Sequence, residues 1–259
     1  MSAARPEPTE PGPDERARVV AAVNDWFAGA ARPLPWREPS TSPWGVLVSE
    51  VMAQQTPVAR VVEPWRAWLR RWPGPADLAA SPAREAVAAW GRLGYPRRAL
   101  RLHGAATAIV EHHGGRVPAG LDELRALPGI GEYTAAAVAS FAFGARAVVL
   151  DTNVRRVLTR LDRGRQYPAN STTAAERRMA ARWLPDDAAT ASRWAASSME
   201  LGALVCTATA PGCAGCPVAG HCRWSATGRP APTQQRRLSL PANQTEPYNG
   251  RKKDRQSDR

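Results

Sequence analysis

The sequence predicts an all-α fold, and three observations carry that prediction. Successive segments place apolar residues three and four positions apart, the repeat of one helical face. Those segments stop at Pro or Gly, which end helices. No stretch shows the sustained period-two alternation of a half-buried strand. The first helix is expected in "ERARVVAAVNDWFAGA", with Val19, Val20, Val23, Trp26 and Phe27 on one face. "RPLPWREPSTSPWG" reads as a Pro-rich loop, and "VLVSEVMAQQT" (Val46–Thr56) as a helix apolar almost all round. "VARVVEPWRAWLRRW", "SPAREAVAAWGRLG" and "PRRALRLHGAATAIVEHHGG" follow, and Ser81 before Pro82 and Glu85 resembles a helix start. "LDELRALPGIGEYTAAAVASFAFG" is two helices joined by a tight turn, and another helix is expected to start at Asp151. "STTAAERRMAARWLP" and "ATASRWAASSMELGALVC" continue the pattern. Residues 1–13 and 225–259 lack apolar periodicity and are expected to be disordered tails.

The chain has 259 residues, an apolar fraction of 44% and 10 Trp, enough for a sizeable core. Its net charge of +12 points to a polyanionic partner, most often nucleic acid. Lys occurs only at positions 252 and 253, so Arg supplies nearly all the positive charge, and a G+C-rich genome accounts for part of that bias. No segment reaches the 18 or so apolar residues that a membrane span needs. The start, "MSAARPEPTEPGPDE", is acidic and has no apolar stretch of a signal peptide. A soluble protein of the bacterial cytoplasm, working at the nucleoid, is expected, with a monomer as the default state.

Cys206, Cys213, Cys216 and Cys222 give C-x6-C-x2-C-x5-C. In a reducing compartment four crowded cysteines point to a metal site rather than disulfides. Four thiolates in one short coil suit a [4Fe–4S] cube, whose corners need four converging sulfurs. A structural zinc site is the alternative, although two C-x2-C knuckles would space the ligands differently. His221 reads as a bystander, since four Cys complete a site.

Two carboxylates stand apart by their neighbours. Glu50 sits among Val46, Leu47, Val48, Val51 and Met52, which disfavour its charged form and should raise its pKa. Asp151 ends an apolar run and opens a helix, where free N–H groups and the helix dipole favour an anion. Separately, Glu50 could point to water and Asp151 could be only a cap. Together they form an acid and an anionic partner with separated pKa values, the pair that glycoside cleavage demands.

The cysteine spacing, "LPGIG" (Leu127–Gly131), "SEVMAQQT" and "LDTNV" occur in the order of the helix-hairpin-helix DNA glycosylases, the superfamily of endonuclease III and MutY, and the chain resembles that family from about Asp14 to Trp224. The resemblance implies a two-lobed helix-hairpin-helix glycosylase fold with a C-terminal [4Fe–4S] cluster loop. Residues 14–40 and 150–224 would form the cluster lobe, and residues 41–149 a six-helix lobe carrying the hairpin. It implies double-stranded DNA bearing a mismatch or oxidised base as partner. Leu127, Gly129 and Gly131 would hold a phosphate on backbone N–H groups at a helix start. Glu50 and Asp151 align with the catalytic acid and catalytic aspartate. In the mechanism that the resemblance implies, the acid protonates adenine N7, the base leaves, the aspartate stabilises or captures sugar C1′, and water attacks.

Tyr133 in "GIGEYTAA" stands where endonuclease III-like lyases carry the Schiff-base Lys. No Lys lies in the expected folded region, so base removal without strand cleavage is expected. "RPLPWR", with Arg32, Trp36 and Arg37, resembles a MutY-type signature around the adenine pocket. Gln54 or Gln55 matches a wedge that fills the gap left by an extruded base, and Tyr95 an aromatic that intercalates near the opposing base. Glu200 matches a group that hydrogen-bonds the flipped adenine, and Asn153 one that supports the catalytic Asp. The usual C-terminal domain that reads 8-oxoguanine is expected to be missing, because only polar tail follows the cysteines, with eight Lys/Arg against three Asp/Glu from Ala226 onward. The leading expectation is therefore an adenine glycosylase acting opposite 8-oxoguanine or guanine. A T/G or U/G mismatch glycosylase is the nearest alternative, and a non-catalytic Fe–S DNA-binding protein a remote one.

Overall fold

The computed structural model describes residues 10–230; the expectations for residues 1–9 and 231–259 lie outside them. The described residues form twelve α-helices linked by turns and short 3₁₀ segments, with no strand among them. Helix α1 (Pro13–Ala30) starts one residue before the expected tail boundary. Glu10, expected in the tail, pairs with Arg163 and Arg182 at 3.5 and 3.0 Å. Helix α2 (Pro43–Ala53) carries Glu50; Ser42 caps it by accepting from Gly45 N–H at 3.2 Å, with Pro43 in the first turn.

A first buried cluster is built from α2, α3 (Val62–Arg71), α4 (Pro75–Ala79), α5 (Ala83–Trp90), α6 (Arg97–His113), α7 (Leu121–Ala126) and α8 (Glu132–Phe143). These are seven helices where the sequence pattern gave six, the five-residue α4 being too short to show a period. Tryptophans dominate this core. Trp68 packs edge-on against Trp72 and Trp90, with centroids 4.6 and 5.6 Å apart, and each such pair adds about 1 kcal/mol beyond area burial. Ser81 is not the cap of α5. Pro82 takes that position, and the Ser81 hydroxyl instead accepts the Trp72 indole N–H at 2.8 Å.

A second cluster joins α1 to α9 (Thr152–Arg163), α10 (Ala174–Arg182) and α11 (Ala188–Leu204), and α12 (Arg223–Ala226) packs on α9. Ala136 and Ala137 of α8 meet Ala147, Val149 and Ala195 in a small seam of apolar residues between the two cores. Small side chains there let α8 and α11 approach closely, which places the ends of α2, α8 and α9 around one space.

Candidate active site

Between the two cores lies a cavity of about 770 Å³ whose lining includes Arg32, Trp36, Arg37, Glu50, Tyr133 and Met199. Glu50 comes from the middle of α2 and is 9% exposed. Tyr133, in the first turn of α8, donates its hydroxyl to Glu50 Oε2 at 2.9 Å. Burial pushes the Glu50 carboxyl up to about 7; the Tyr133 hydrogen bond opposes this, the nearby Asp151 charge adds to it, and Arg37 opposes it. Glu50 is thus half protonated near neutral pH, as its apolar neighbours in the sequence implied.

Asp151 caps α9. Its Oδ1 accepts Val154 N–H at 2.6 Å, and its Oδ2 accepts the Asn153 amide at 2.8 Å. The sequence reading made Asp151 an anion held down by the helix start. The structure adds a burial that the sequence did not show: desolvation pushes the Asp151 pKa up, against the hydrogen bonds of Val154 and Asn153 and the charge of Arg156. Both carboxyls are therefore raised. They differ in support, since Asp151 has two N–H donors and the charge of Arg156, while Glu50 has one phenol and the charge of Arg37. The two carboxyls thus differ in how well their surroundings support an anion, Asp151 having the greater number of donors.

Arg156, which the sequence reading passed over, organises the back of this site. It donates to Asn153 Oδ1 at 2.7 Å, to Gly202 O at 2.7 Å and to Cys206 O at 2.7 Å. Gly202 packs α11 directly on Asn153: a Cβ there would lie 2.6 Å from Asn153 Cβ and 2.9 Å from its carbonyl oxygen. Gly202→Ala is expected to displace Asn153 and with it Asp151. Chemistry at the carboxyl pair should slow by about 10²-fold, as ångström-scale misplacement does, and single-turnover rates will show it.

Glu200 is bonded to two arginines that line the cavity. It is fully buried. Its Oε1 accepts Arg32 Nε at 2.8 Å and Arg32 N–H at 2.9 Å; its Oε2 accepts Arg32 Nη2 at 2.8 Å and Arg37 Nη2 at 2.9 Å. Burial alone would raise its pKa, but the hydrogen bonds of Arg32 and Arg37 bring it down to about 2. With four donors on two oxygens, Glu200 orients the arginines, and Arg32 and Arg37 are what the cavity presents. Trp36 stands on the same wall, edge-on to Trp65 at 5.8 Å.

The expected DNA-contacting residues lie on loops near the ends of α2, α6 and α8. Gln54 donates to Thr134 Oγ1 at 3.2 Å, while Gln55 is exposed with φ of 54°. Tyr95 is 58% exposed with φ of 48°. Left-handed backbone is costly for non-glycine residues and concentrates at functional loops. In the hairpin Leu127 is buried. Gly129 has φ of 78°, and a Cβ there would sit 2.6 Å from Arg101 Cβ, so only glycine fits. Gly131 is the N-cap of α8 with φ of −89°, a backbone open to any residue, and a Cβ there would meet nothing within 4 Å.

Cys206, Cys213, Cys216 and Cys222 line one small pocket with Arg160 and Trp224. Burial pushes the Cys216 thiol up to about 11, and Cys206, Cys222 and Cys213 are near enough to add to it. Among the described residues no group is gathered for a single ion. Four cysteine sulfurs on one pocket are a donor set whose chemistry fits an iron–sulfur group. Arg160 Nη1 donates to Cys206 Sγ at 3.3 Å and lies over the Trp224 ring at 4.6 Å.

Residues 48–185 match the model of the HhH-GPD superfamily of base excision DNA repair proteins. The chain is 51% identical over 213 residues to an adenine DNA glycosylase of Mycolicibacterium smegmatis, covering 82% of this chain and 71% of that protein. It is 34% identical over 203 residues to a thymine/uracil-DNA glycosylase of Pyrobaculum aerophilum, covering 77% of this chain and 88% of that one. A non-covalent endonuclease III–DNA complex superposes with a TM-score of 0.69 at 25% identity, over 83% of this chain and 97% of that chain. The match over most of the chain and the shared helical architecture agree: this chain belongs to the HhH-GPD superfamily of base excision DNA repair proteins.

Proposed function

We propose that this chain is an adenine DNA glycosylase that removes adenine mispaired with 8-oxoguanine or guanine and leaves the strand intact. The observation that carries the proposal is Glu50, buried, hydrogen-bonded to Tyr133 and titrating near 7, beside an Asp151 better supplied with donors. The adenine is extruded from the stack, because its glycosidic bond is out of reach inside the duplex. Arg32, Trp36 and Arg37 form the wall against which the base is held. Glu50 delivers its proton to the purine ring at N7. The C1′–N9 bond then breaks with its electron pair leaving on the base. The cationic sugar is steadied by the Asp151 carboxylate. Water adds its hydroxyl to C1′, and its proton goes to a carboxylate. Tyr133 fixes the orientation of the Glu50 carboxyl and, unlike a lysine, cannot form a Schiff base, so no strand cleavage follows.

Cys206, Cys213, Cys216 and Cys222 would hold one [4Fe–4S] cluster, which would crosslink the C-terminal loop that carries all four ligands. Purified protein is expected to be brown and to absorb near 400 nm; replacing Cys213 by alanine should remove most of that absorbance and lower Tm. A colourless wild-type protein containing zinc would refute the assignment. Residues 14–40 with 150–224, and 41–149, serve as the two lobes that close on DNA. The protein acts as a monomer in the cytoplasm, at the nucleoid; no helix of the described residues is long and apolar enough to cross a membrane.

The experiment is a panel of duplexes carrying A opposite 8-oxoguanine, A opposite G, T opposite G and U opposite G, incubated at single turnover and then treated with alkali. Strand breaks at adenine, appearing only after alkali, are expected. Breaks at T or U instead would favour the second reading, a thymine/uracil mismatch glycosylase, which the similarity to the Pyrobaculum aerophilum protein supports. No breaks with any duplex would leave a DNA-binding protein without this activity.

A further inference from the structure

One buried guanidinium joins the two strained loops on the DNA-facing side. Arg98, in the first turn of α6, is 6% exposed. Its Nη1 donates to Val51 O at 3.1 Å, to Met52 O at 3.0 Å and to Gln54 O. These carbonyls end α2, where such oxygens have no helical partner and a cation is favoured. Its Nη2 donates to Thr56 Oγ1 at 3.0 Å, to Leu93 O at 2.9 Å and to Gly94 O at 3.0 Å. The guanidinium also lies 5.2 Å from the Trp90 ring centre and 5.8 Å from that of Tyr95. So one side chain holds the residues on both sides of Gln55 and the two residues that lead into Tyr95.

Gln55 and Tyr95 are both exposed, and both have left-handed backbones that cost energy unless their surroundings impose them. A planar fork with fixed donor directions can impose both at once, which a lysine cannot. We propose that Arg98 is the positioning residue that fixes the spacing between Gln55 and Tyr95, so that the two side chains enter the duplex as one rigid unit during extrusion. The proposal rests on the glycosylase reading above and on these two residues meeting DNA. Without the clamp each loop would relax separately, and the enzyme would have to order both while opening the helix. The cost should fall on substrates whose adenine must be extruded from a pair, and not on those whose adenine is already unpaired.

The test compares single-turnover base release by Arg98→Lys on two duplexes, one with adenine opposite guanine and one with adenine opposite an abasic gap. The expected result is a loss of about tenfold or more on the paired substrate and less than about threefold on the unpaired one. A merely structural role, acting through α2 and Glu50, would lower both rates alike; that outcome, or no change in either, overturns the proposal. If Arg98→Lys does not melt cooperatively, Thr56→Val removes one bond of the clamp, and the same comparison decides, with a loss of about threefold on the paired substrate alone as the supporting outcome. Failure of the wild-type protein to release adenine from either duplex overturns the glycosylase reading and this proposal with it. Wild-type activity with equal losses in the variants overturns this proposal alone.

Discussion

Glu50→Gln is expected to slow base release by about 10³-fold, the range of positioned general acids, while DNA affinity stays within about threefold. Glutamine has the shape of the acid and still accepts the Tyr133 hydroxyl, but it has no proton to give. The same change should stabilise the fold. The Glu50 pKa is raised from 4.5 to about 7 in the folded state, so the native protein binds its proton more tightly than the unfolded chain. The cost of burying the charge is absent below pH 4.5, grows as pH rises, and is complete above pH 7. At pH 8 the variant should therefore be the more stable protein, by up to about 3 kcal/mol. Denaturation at pH 5 and pH 8 tests this: a stability gain confined to the higher pH, with catalysis gone at both, is expected. A variant that loses catalysis and stability together would contradict it.

Asp151→Asn is expected to be nearly as damaging, about 10²- to 10³-fold in base release, the cost of removing one preorganised electrostatic group. Asparagine is as good a helix cap as aspartate, so α9 should keep its start through the bond to Val154 N–H. What disappears is the carboxylate that the proposed mechanism sets against the sugar. Asp151→Ala should lose the cap as well, about 1 kcal/mol of stability, with no greater loss of catalysis than Asp151→Asn. Rates paired with thermal melts separate the two effects. Catalysis preserved in Asp151→Asn would show that the cap, and not the charge, is what the site needs.

The parts of the site legible in the sequence are the local ones. Asp151 as a cap follows from a carboxylate between an apolar run and a helix, and burial of Glu50 follows from its neighbours in α2. The bonding of Glu200 was not legible, because its partner Arg32 lies 168 residues away and a chain pattern does not show four donors on its oxygens. The extra desolvation of Asp151 escaped for the same reason: it comes from packing between cores, not from nearby residues. Arg98 left a signal that was not used. It falls on the stripe of Leu102, Ala105 and Ile109 in α6, where a charged residue can be buried only if bonded on many sides. Gly202 left none, since a glycine inside a helix shows its purpose only when Asn153 is seen against it. Ser81 shows the reverse error: a cap motif loses its role when a nearby Trp72 claims the hydroxyl.

The measurement that bears most directly on the proposed chemistry is the pH dependence of single-turnover base release between pH 6 and 9. With Glu50 as the acid, titrating near 7, the rate should fall as pH rises, approaching tenfold per unit above about pH 7.5. The residual activity of Glu50→Gln should show no such fall. A wild-type rate that stays level or climbs from pH 7 to 9 would mean that the proton does not come from Glu50, and the assignment of acid and anion would be wrong.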